Sequence, residues 1–266
     1  MTVRPSRPLA RAANLAQKDF DMLNTGAMTG LAAVEKARSS VLNKLGLSEL
    51  VPATKLNIAV SHHEHVEQQN IPARFVIDGI TLDAPAGVYH PTANSSSLLF
   101  LRNLKAMESA DYPKVLEIGA GCGAIALYLA KYWDSKVTAS DISPVAVEAI
   151  RKNAELNDIK LDIVLSDLFE SIDDDDFDLI VFNTPLIDKE PENSVEKFSL
   201  CDPGGRITEL YLSEAAKHVT KNGMILVSIC SNSAYEVLDD LDLTFEIVGF
   251  ELSYSGFWWA VVGARR

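Results

Sequence analysis

Apolar positions along this chain follow two different regimes, and the change falls near residue 85. Before it, Leu9, Ala13, Leu15, Phe20 and Leu23, then Leu31, Val34, Ala37, Val41 and Leu45, recur at helical spacings. These predict helices over 8–23 and 28–46, with Gly46 stopping the second. Residues 55–60 predict a strand. Phe75-Val76-Ile77, Asp78-Gly79 and Ile80-Thr81-Leu82 predict a tight hairpin, because Asp-Gly tolerates the left-handed backbone of a two-residue turn. Beyond 85, compact apolar runs alternate with helical patterns. Strands are expected at Val115–Ile118, Lys136–Ser140, Leu161–Leu165, Phe177–Phe182 and Met224–Cys230. Helices are expected at Ala124–Ala130, Pro144–Leu156 (capped by Ser143, with Pro144 first), Arg206–Val219 and Ser233–Leu241. Phe245–Phe250 and Phe257–Val262 should close the sheet as a pair, the last antiparallel. This alternation predicts an α/β chain with a doubly wound, mostly parallel seven-stranded sheet over 86–266. A small helical and hairpin domain over 1–85 precedes it. In such sheets ligands bind at the carboxyl ends of the strands.

The richest stretch is Val115–Ala130, VLEIGAGCGAIALYLA: a buried strand, a glycine turn and a helix. Gly119, Gly121 and Gly123 remove side chains where the backbone turns sharply and a ligand comes close. The helix that follows offers unpaired N–H groups in its first turn to a polar ligand. One crossover helix later comes Asp141, at the end of the next strand, where a carboxylate can accept hydrogen bonds from both hydroxyls of a ribose. The pattern predicts a nucleoside site. Gly119, Gly121 and Ala124 also satisfy the dinucleotide fingerprint G-x-G-x-x-G/A, so NAD is an alternative ligand. A turn that only packs a helix on a sheet is the structural alternative.

The sequence E-x-G-x-G-x-G, beginning at Glu117 and followed by the acidic strand end Asp141, resembles the S-adenosylmethionine (SAM) site of class I methyltransferases. That resemblance implies the Rossmann-like fold of the family and a glycine turn packed against the amino-acid tail of SAM. It assigns Glu117, Gly119, Ala120, Gly121, Gly123, Asp141 and Ile142 to the cofactor. Asp167 or the Leu168 amide would meet adenine, although Asp167 also reads as a helix cap. The fourth strand ends in Asn183-Thr184-Pro185-Leu186, which resembles the N-P-P-Y motif of amino-methyltransferases, among them the HemK-like glutamine methyltransferases. There the Asn oxygen and the next carbonyl accept the two N–H bonds of an acceptor nitrogen and aim its lone pair at the methyl carbon. Asn183, Thr184 and Pro185 match these roles, with Asn183 also bordering SAM. Leu186 departs from the pattern, since the family carries an aromatic that stacks on a planar acceptor; an aliphatic amine gains ground accordingly. Upstream, Gly87–Ser95 is similar to a HemK-like segment bordering the SAM pocket, with Pro91 matching and Asn94-Ser95 in place of Asp-Thr. Tyr89 would lie over the sulfonium by cation–π attraction, or else is a core tyrosine. The resemblance spans roughly residues 85–265.

Composition narrows the acceptor. With 47% hydrophobic and 23% charged residues, the 266-residue chain is an ordinary soluble one, and no run approaches the ~20 apolar residues of a membrane span. A net charge of −13 argues against a phosphate-tracking surface, so a small molecule or a protein is expected as partner, not a nucleic acid or a membrane. Arg4, Arg7 and Arg11 are not followed by an apolar signal core. Together with three cysteines, Cys122, Cys201 and Cys230, that lack metal spacing, this predicts a cytoplasmic protein. Cys122 reads as a space-filler. Ser61-His62-His63-Glu64-His65 reads as a surface or lid loop, because only His63 and His65 meet a strand's ligand spacing, and no metal is expected. Asp173–Asp176 lacks the spacing of a calcium loop and reads as solvated. The sequence therefore predicts a SAM-dependent N-methyltransferase acting on a small-molecule amine or a protein side-chain nitrogen. Two alternatives stand beside it: an enzyme that cyclises SAM to azetidine-2-carboxylate and 5′-methylthioadenosine, and a nucleoside-binding protein without turnover. The N-terminal domain would serve as a lid or acceptor platform, or as a stabilising extension.

Overall fold

The computed structural model describes residues 40–47, 66–91, 95–253 and 257–266. The helix expected over 8–23, the strand over 55–60 and the Ser61–His65 cluster lie outside them. Of the second helix, α1 (Ser40–Lys44) is described; it ends at Gly46, whose φ of 72° is the left-handed stop that glycine permits.

Seven strands form one sheet: β3 (Lys114–Ile118), β4 (Lys136–Asp141), β5 (Asp162–Leu165), β6 (Phe177–Phe182), β7 (Val219–Cys230), β8 (Thr244–Leu252) and β9 (Trp258–Arg265). Their spatial order is β5-β4-β3-β6-β7-β9-β8. The first five run parallel, and β9 lies antiparallel between β7 and β8. The expected edge pair is therefore present, with the last strand as its inner member, next to β7.

The period of two along the strands builds two cores. Val115, Leu179, Val181, Met224 and Leu226 face a layer containing α2 (Ser96–Leu104), α3 (Ala124–Tyr132) and α4 (Pro144–Leu156). Leu116, Ile118, Ile180, Phe182, Ile225 and Val227 face the other layer, with α1 and α5 (Arg206–His218). Ser143 caps α4 through its side chain, with Pro144 in the first turn, as the sequence predicts. Two elements differ from expectation. Strand β7 begins five residues early, because Val219 pairs with Phe177 across a register shift before Leu179 meets Met224. Residues 233–241 hold a 3₁₀ segment, Tyr235–Asp240, not an α-helix.

The hairpin forms as predicted, β1 (Ala73–Ile77) against β2 (Ile80–Ala84), with Asp78 and Gly79 both at positive φ. It is sewn to α4. The Asn153 side chain accepts from Asp83 N at 2.8 Å and donates to Asp83 O at 2.9 Å. The Asn157 side chain does the same for Thr81, at 2.9 and 2.7 Å. Ile80, Leu82 and Ala84 are buried in the α2–α4 core.

Candidate active site

The sheet order reverses between β3 and β6, so the connections leave that pair in opposite directions and open a crevice at their carboxyl ends. A cavity of ≈ 950 Å³ sits there. Every site residue expected from the sequence lines it: Tyr89, Pro91, Glu117, Gly119, Ala120, Gly121, Asp141, Ile142, Asp167, Leu168, Asn183, Thr184 and Pro185, with the exception of Gly123. Gly123 caps α3 at φ 89°, one layer behind, with Ile150 and Leu127 in van der Waals reach of any side chain placed there.

The glycine turn owes its composition to its neighbours within the protein. At Gly119, φ is 62° and an added Cβ would strike the ring of Phe182 at the end of β6. At Gly121, φ is 58° and a Cβ would come within 2.9 Å of the Tyr89 carbonyl. The turn's N–H groups are also used internally. Ala120 N donates to Ser140 O (2.9 Å), Gly121 N to Asp141 Oδ2 (2.8 Å), Cys122 N to Tyr89 O (3.3 Å) and Gly123 N to Ala120 O (2.8 Å). The glycines thus supply close approach, while the amides of the turn itself, residues 120–123, are spent on partners within the protein.

Asp141 lines the cavity and is also held by the backbone around it. Its Oδ1 accepts from Ser143 N at 2.8 Å and its Oδ2 from Gly121 N, so it pins the glycine turn to the start of α4. Each oxygen retains a second lone pair for a ligand in the cavity. Burial raises its pKa, opposed by the amides of Ser143, Gly121 and Ile142. Glu117 is 2% exposed, and burial pushes its carboxyl well above the usual range, opposed by the Ala126 amide and reinforced by the charge of Asp141. Its Oε2 is buried with no hydrogen-bond partner among the described residues. Cys122 is buried and its thiol pushed up to about 12, which suits a space-filler and not a nucleophile. Asp167 is exposed at the rim, beside Leu168 at φ 45°. A leucine at positive φ is a strained backbone held in place by its loop: the Ser166 hydroxyl donates to Leu168 O and accepts from Ser171 N, both at 2.9 Å.

At the opposite end stands Asn183. Its Nδ2 donates to Ser97 Oγ at 2.9 Å, and its Oδ1 is buried without a partner among the described residues. Thr184 is fixed beside it, its hydroxyl donating to Ser228 O at 2.8 Å. Leu186 is held through its carbonyl, which accepts from Ser233 Oγ at 3.0 Å. Residues 187–205 then fold back as a lobe, closed by hydrogen bonds from Ile187 N to Leu200 O and from Asp202 N to Ile187 O. A π-helical turn in it, Glu196–Leu200, brings Lys197, Phe198, Ser199 and Leu200 to the cavity. Such turns concentrate at functional sites. Ser97, Phe182, Phe198 and Trp259 are cavity residues that sequence reasoning missed. They arrive from α2, β6, the lobe and β9, and for Phe198 alone an aromatic beyond the N-T-P-L motif was a usable signal.

A cradle of glycines, an orphaned carboxyl oxygen suited to an ammonium donor and a paired carboxylate at the second strand end together fit SAM. The donor set holds nothing that would select a pyrophosphate. Residues 79–258 match the family model of the methyltransferase small domain, and the chain belongs to that family. It is therefore a SAM-dependent methyltransferase with the class I, Rossmann-like fold. Among curated relatives, a Methanocaldococcus jannaschii chain named as a protein N5-glutamine methyltransferase is 32% identical over 57% of this chain and 76% of its own. The release factor glutamine methyltransferase of Lactococcus lactis is 32% identical over 66% of this chain and 68% of its own. Among solved structures, the T. Thermophilus 16S rRNA N2 G1207 methyltransferase, determined with AdoMet and guanosine, shares the fold. It has a TM-score of 0.56 and 20% identity, covering 74% of this chain and 50% of that one. Among the described residues, no helix is long and apolar enough to cross a membrane and no group of side chains could hold a metal ion.

Proposed function

We propose that this enzyme methylates the side-chain amide nitrogen of a glutamine in a protein acceptor, of the release-factor class that its relatives' names indicate. The observation that carries the reading is the buried, partnerless Oδ1 of Asn183 at the cavity wall. A polar atom left unpaired in a dry site costs about 1–3 kcal/mol, and an incoming N–H donor relieves it. When bound, SAM supplies an electrophilic sulfonium methyl. Asn183 Oδ1 and the Thr184 carbonyl accept the two N–H bonds of the amide, which turns the nitrogen lone pair towards the methyl carbon. As the nitrogen gains the methyl it becomes cationic until it sheds a proton to solvent, and the same two oxygens stabilise that charge. Glu117, the glycine turn, Asp141 and the Asp167–Leu168 loop hold the cofactor. Phe198, Phe257 and Trp259 line the cavity and offer aromatic faces for a planar amide where Leu186 does not. Residues preceding the hairpin present the acceptor. Gln69, just ahead of the hairpin, supports that role, since it is tied to the pocket segment through His90 N (2.9 Å) and Gly87 N (2.8 Å).

The test is incubation with SAM and a purified bacterial release factor, with mass spectrometry of both protein and nucleoside products. N-methylglutamine with stoichiometric S-adenosylhomocysteine supports the reading. Formation of 5′-methylthioadenosine from SAM alone would replace it with cyclisation.

A further inference from the structure

An asparagine side chain presents an acceptor at one corner and donors at the other, and the two corners have nearly the same shape. Asn183 serves a substrate N–H only if its oxygen faces the acceptor; with the amide reversed, its NH₂ would meet the substrate's own N–H donors. In the structure the amide stands in the first orientation, with Nδ2 on Ser97 Oγ and Oδ1 left for a ligand. We propose that Ser97 is the positioning residue that sets the Asn183 amide for catalysis. This inference rests on the reading of Asn183 as the acceptor's hydrogen-bond partner.

Ser97 lies in the first turn of α2, is 4% exposed and lines the same cavity. Its oxygen takes the Asn183 Nδ2 proton at 2.9 Å, across 86 residues of sequence. With that donor satisfied, the remaining buried atom of the amide is Oδ1, turned away from Ser97 and unpaired among the described residues. One wall of the site is thereby tied to the other, α2 on one side and the end of β6 on the other. Thr184 is anchored from a third direction by Ser228, so the backbone under Asn183 is held independently of Ser97. Loss of the serine hydroxyl should consequently free the amide and leave the loop in place.

The experiment compares wild type with Ser97→Ala, Ser97→Thr, Asn183→Ala and the Ser97→Ala/Asn183→Ala double variant. Turnover on release factor and SAM affinity by calorimetry are measured for each. Ser97→Ala should lower kcat about tenfold, the order expected for one unpaired buried donor, and leave SAM affinity within twofold. Ser97→Thr, which keeps the hydroxyl, should recover most of the loss. In the Asn183→Ala background the serine change should cost nothing further, because its effect passes through the amide. Full activity in Ser97→Ala, or an equal loss in both backgrounds, overturns the proposal. The Asn183 side-chain NH₂ signals in ¹⁵N-labelled protein, identified by their disappearance in Asn183→Ala, give a readout that needs no acceptor. They should shift in Ser97→Ala and return towards their original positions in Ser97→Thr; an unchanged pair overturns the proposal. Should wild type leave release factor unmethylated, the acceptor reading fails by itself, and these signals still decide the role of Ser97.

Discussion

The side-chain nitrogen of Asn153 donates to the Cys122 carbonyl in the glycine turn at 2.9 Å and also to the Asp83 carbonyl in the hairpin. Asn153 is fully buried on α4, and its oxygen takes the Asp83 amide as well. One side chain therefore joins three segments that lie far apart in sequence: the hairpin, the glycine turn and the helix capped beside Asp141. Each partner is a backbone group that must be paired once it is removed from water.

Asn153→Leu, close in volume but without polar atoms, should strip these bonds and destabilise the protein by about 2–4 kcal/mol. SAM affinity should fall with it, since the turn loses its support. Urea denaturation and calorimetry measure the two effects. A midpoint equal to wild type would mean that the turn stands without Asn153.

Gly119→Ala should abolish SAM binding, as the added methyl meets the Phe182 ring and the backbone sits at φ 62°. The second contribution alone is worth about 1–2 kcal/mol. Trimming the ring in Gly119→Ala/Phe182→Leu should restore part of the binding. If the double variant binds SAM no better than the single one, the ring is not what excludes a side chain at 119.

If Asn183 acts on the acceptor nitrogen as proposed, replacing it by Ala should reduce turnover by about a hundredfold or more while SAM affinity stays within a few-fold. Equilibrium binding and single-turnover rates separate the two quantities. A parallel collapse of SAM binding would reassign Asn183 to the cofactor.

Burial holds the folded pKa of Glu117 well above its unfolded value. The folded protein therefore binds the proton more tightly, and the stability this contributes is present below the ordinary carboxylate range. It is lost as pH rises from there towards the folded pKa. Denaturation of the SAM-free protein should show stability declining over that window, and Glu117→Gln should flatten the decline. Asp141 is shifted in the same direction but is present in both proteins, so the difference reports Glu117. Parallel pH profiles for the two proteins would show that Glu117 is not protonated preferentially in the fold.

Phe198 is half exposed, yet it lines the cavity from the lobe. Phe198→Ala should raise the KM for a protein acceptor several-fold and leave the SAM dissociation constant unchanged. Steady-state kinetics with release factor as the varied substrate provide the check, and an unaltered KM would place the aromatic face elsewhere.

How far the sequence reaches can be seen element by element. Phe177–Phe182 and Pro144–Leu156 match their predicted bounds, because an uninterrupted apolar run and a Ser-Pro start are local signals. Val219 was read as the end of a helix, since Lys221, Asn222 and Gly223 look like a loop. The pairing of Val219 with Phe177 is a backbone event across a register shift that leaves no mark in side-chain pattern. The place of β9 between β7 and β8 is likewise set by sheet closure, not by composition. At the site, the cavity positions of residues at or just past a strand's carboxyl end were legible: Gly119, Asp141, Asp167 and Asn183. Ser97 was not, because within Ser95-Ser96-Ser97 only the three-dimensional path of α2 selects the one serine that reaches Asn183. The clasp that Asp141 forms between the glycine turn and the start of α4 was also hidden, since its backbone partners carry no sequence signature.

Phe182 is the residue immediately before Asn183, and its ring is what denies Gly119 a side chain. The end of β6, proposed to receive the acceptor, and the end of β3, proposed to receive the cofactor, thus share one piece of material. For anyone grafting a new acceptor specificity onto this scaffold, the two strand ends behave as a single cassette. A transplanted β6 terminus with a different residue at 182 would alter the floor under the glycine turn, and would succeed only if the turn that matches it were carried across as well.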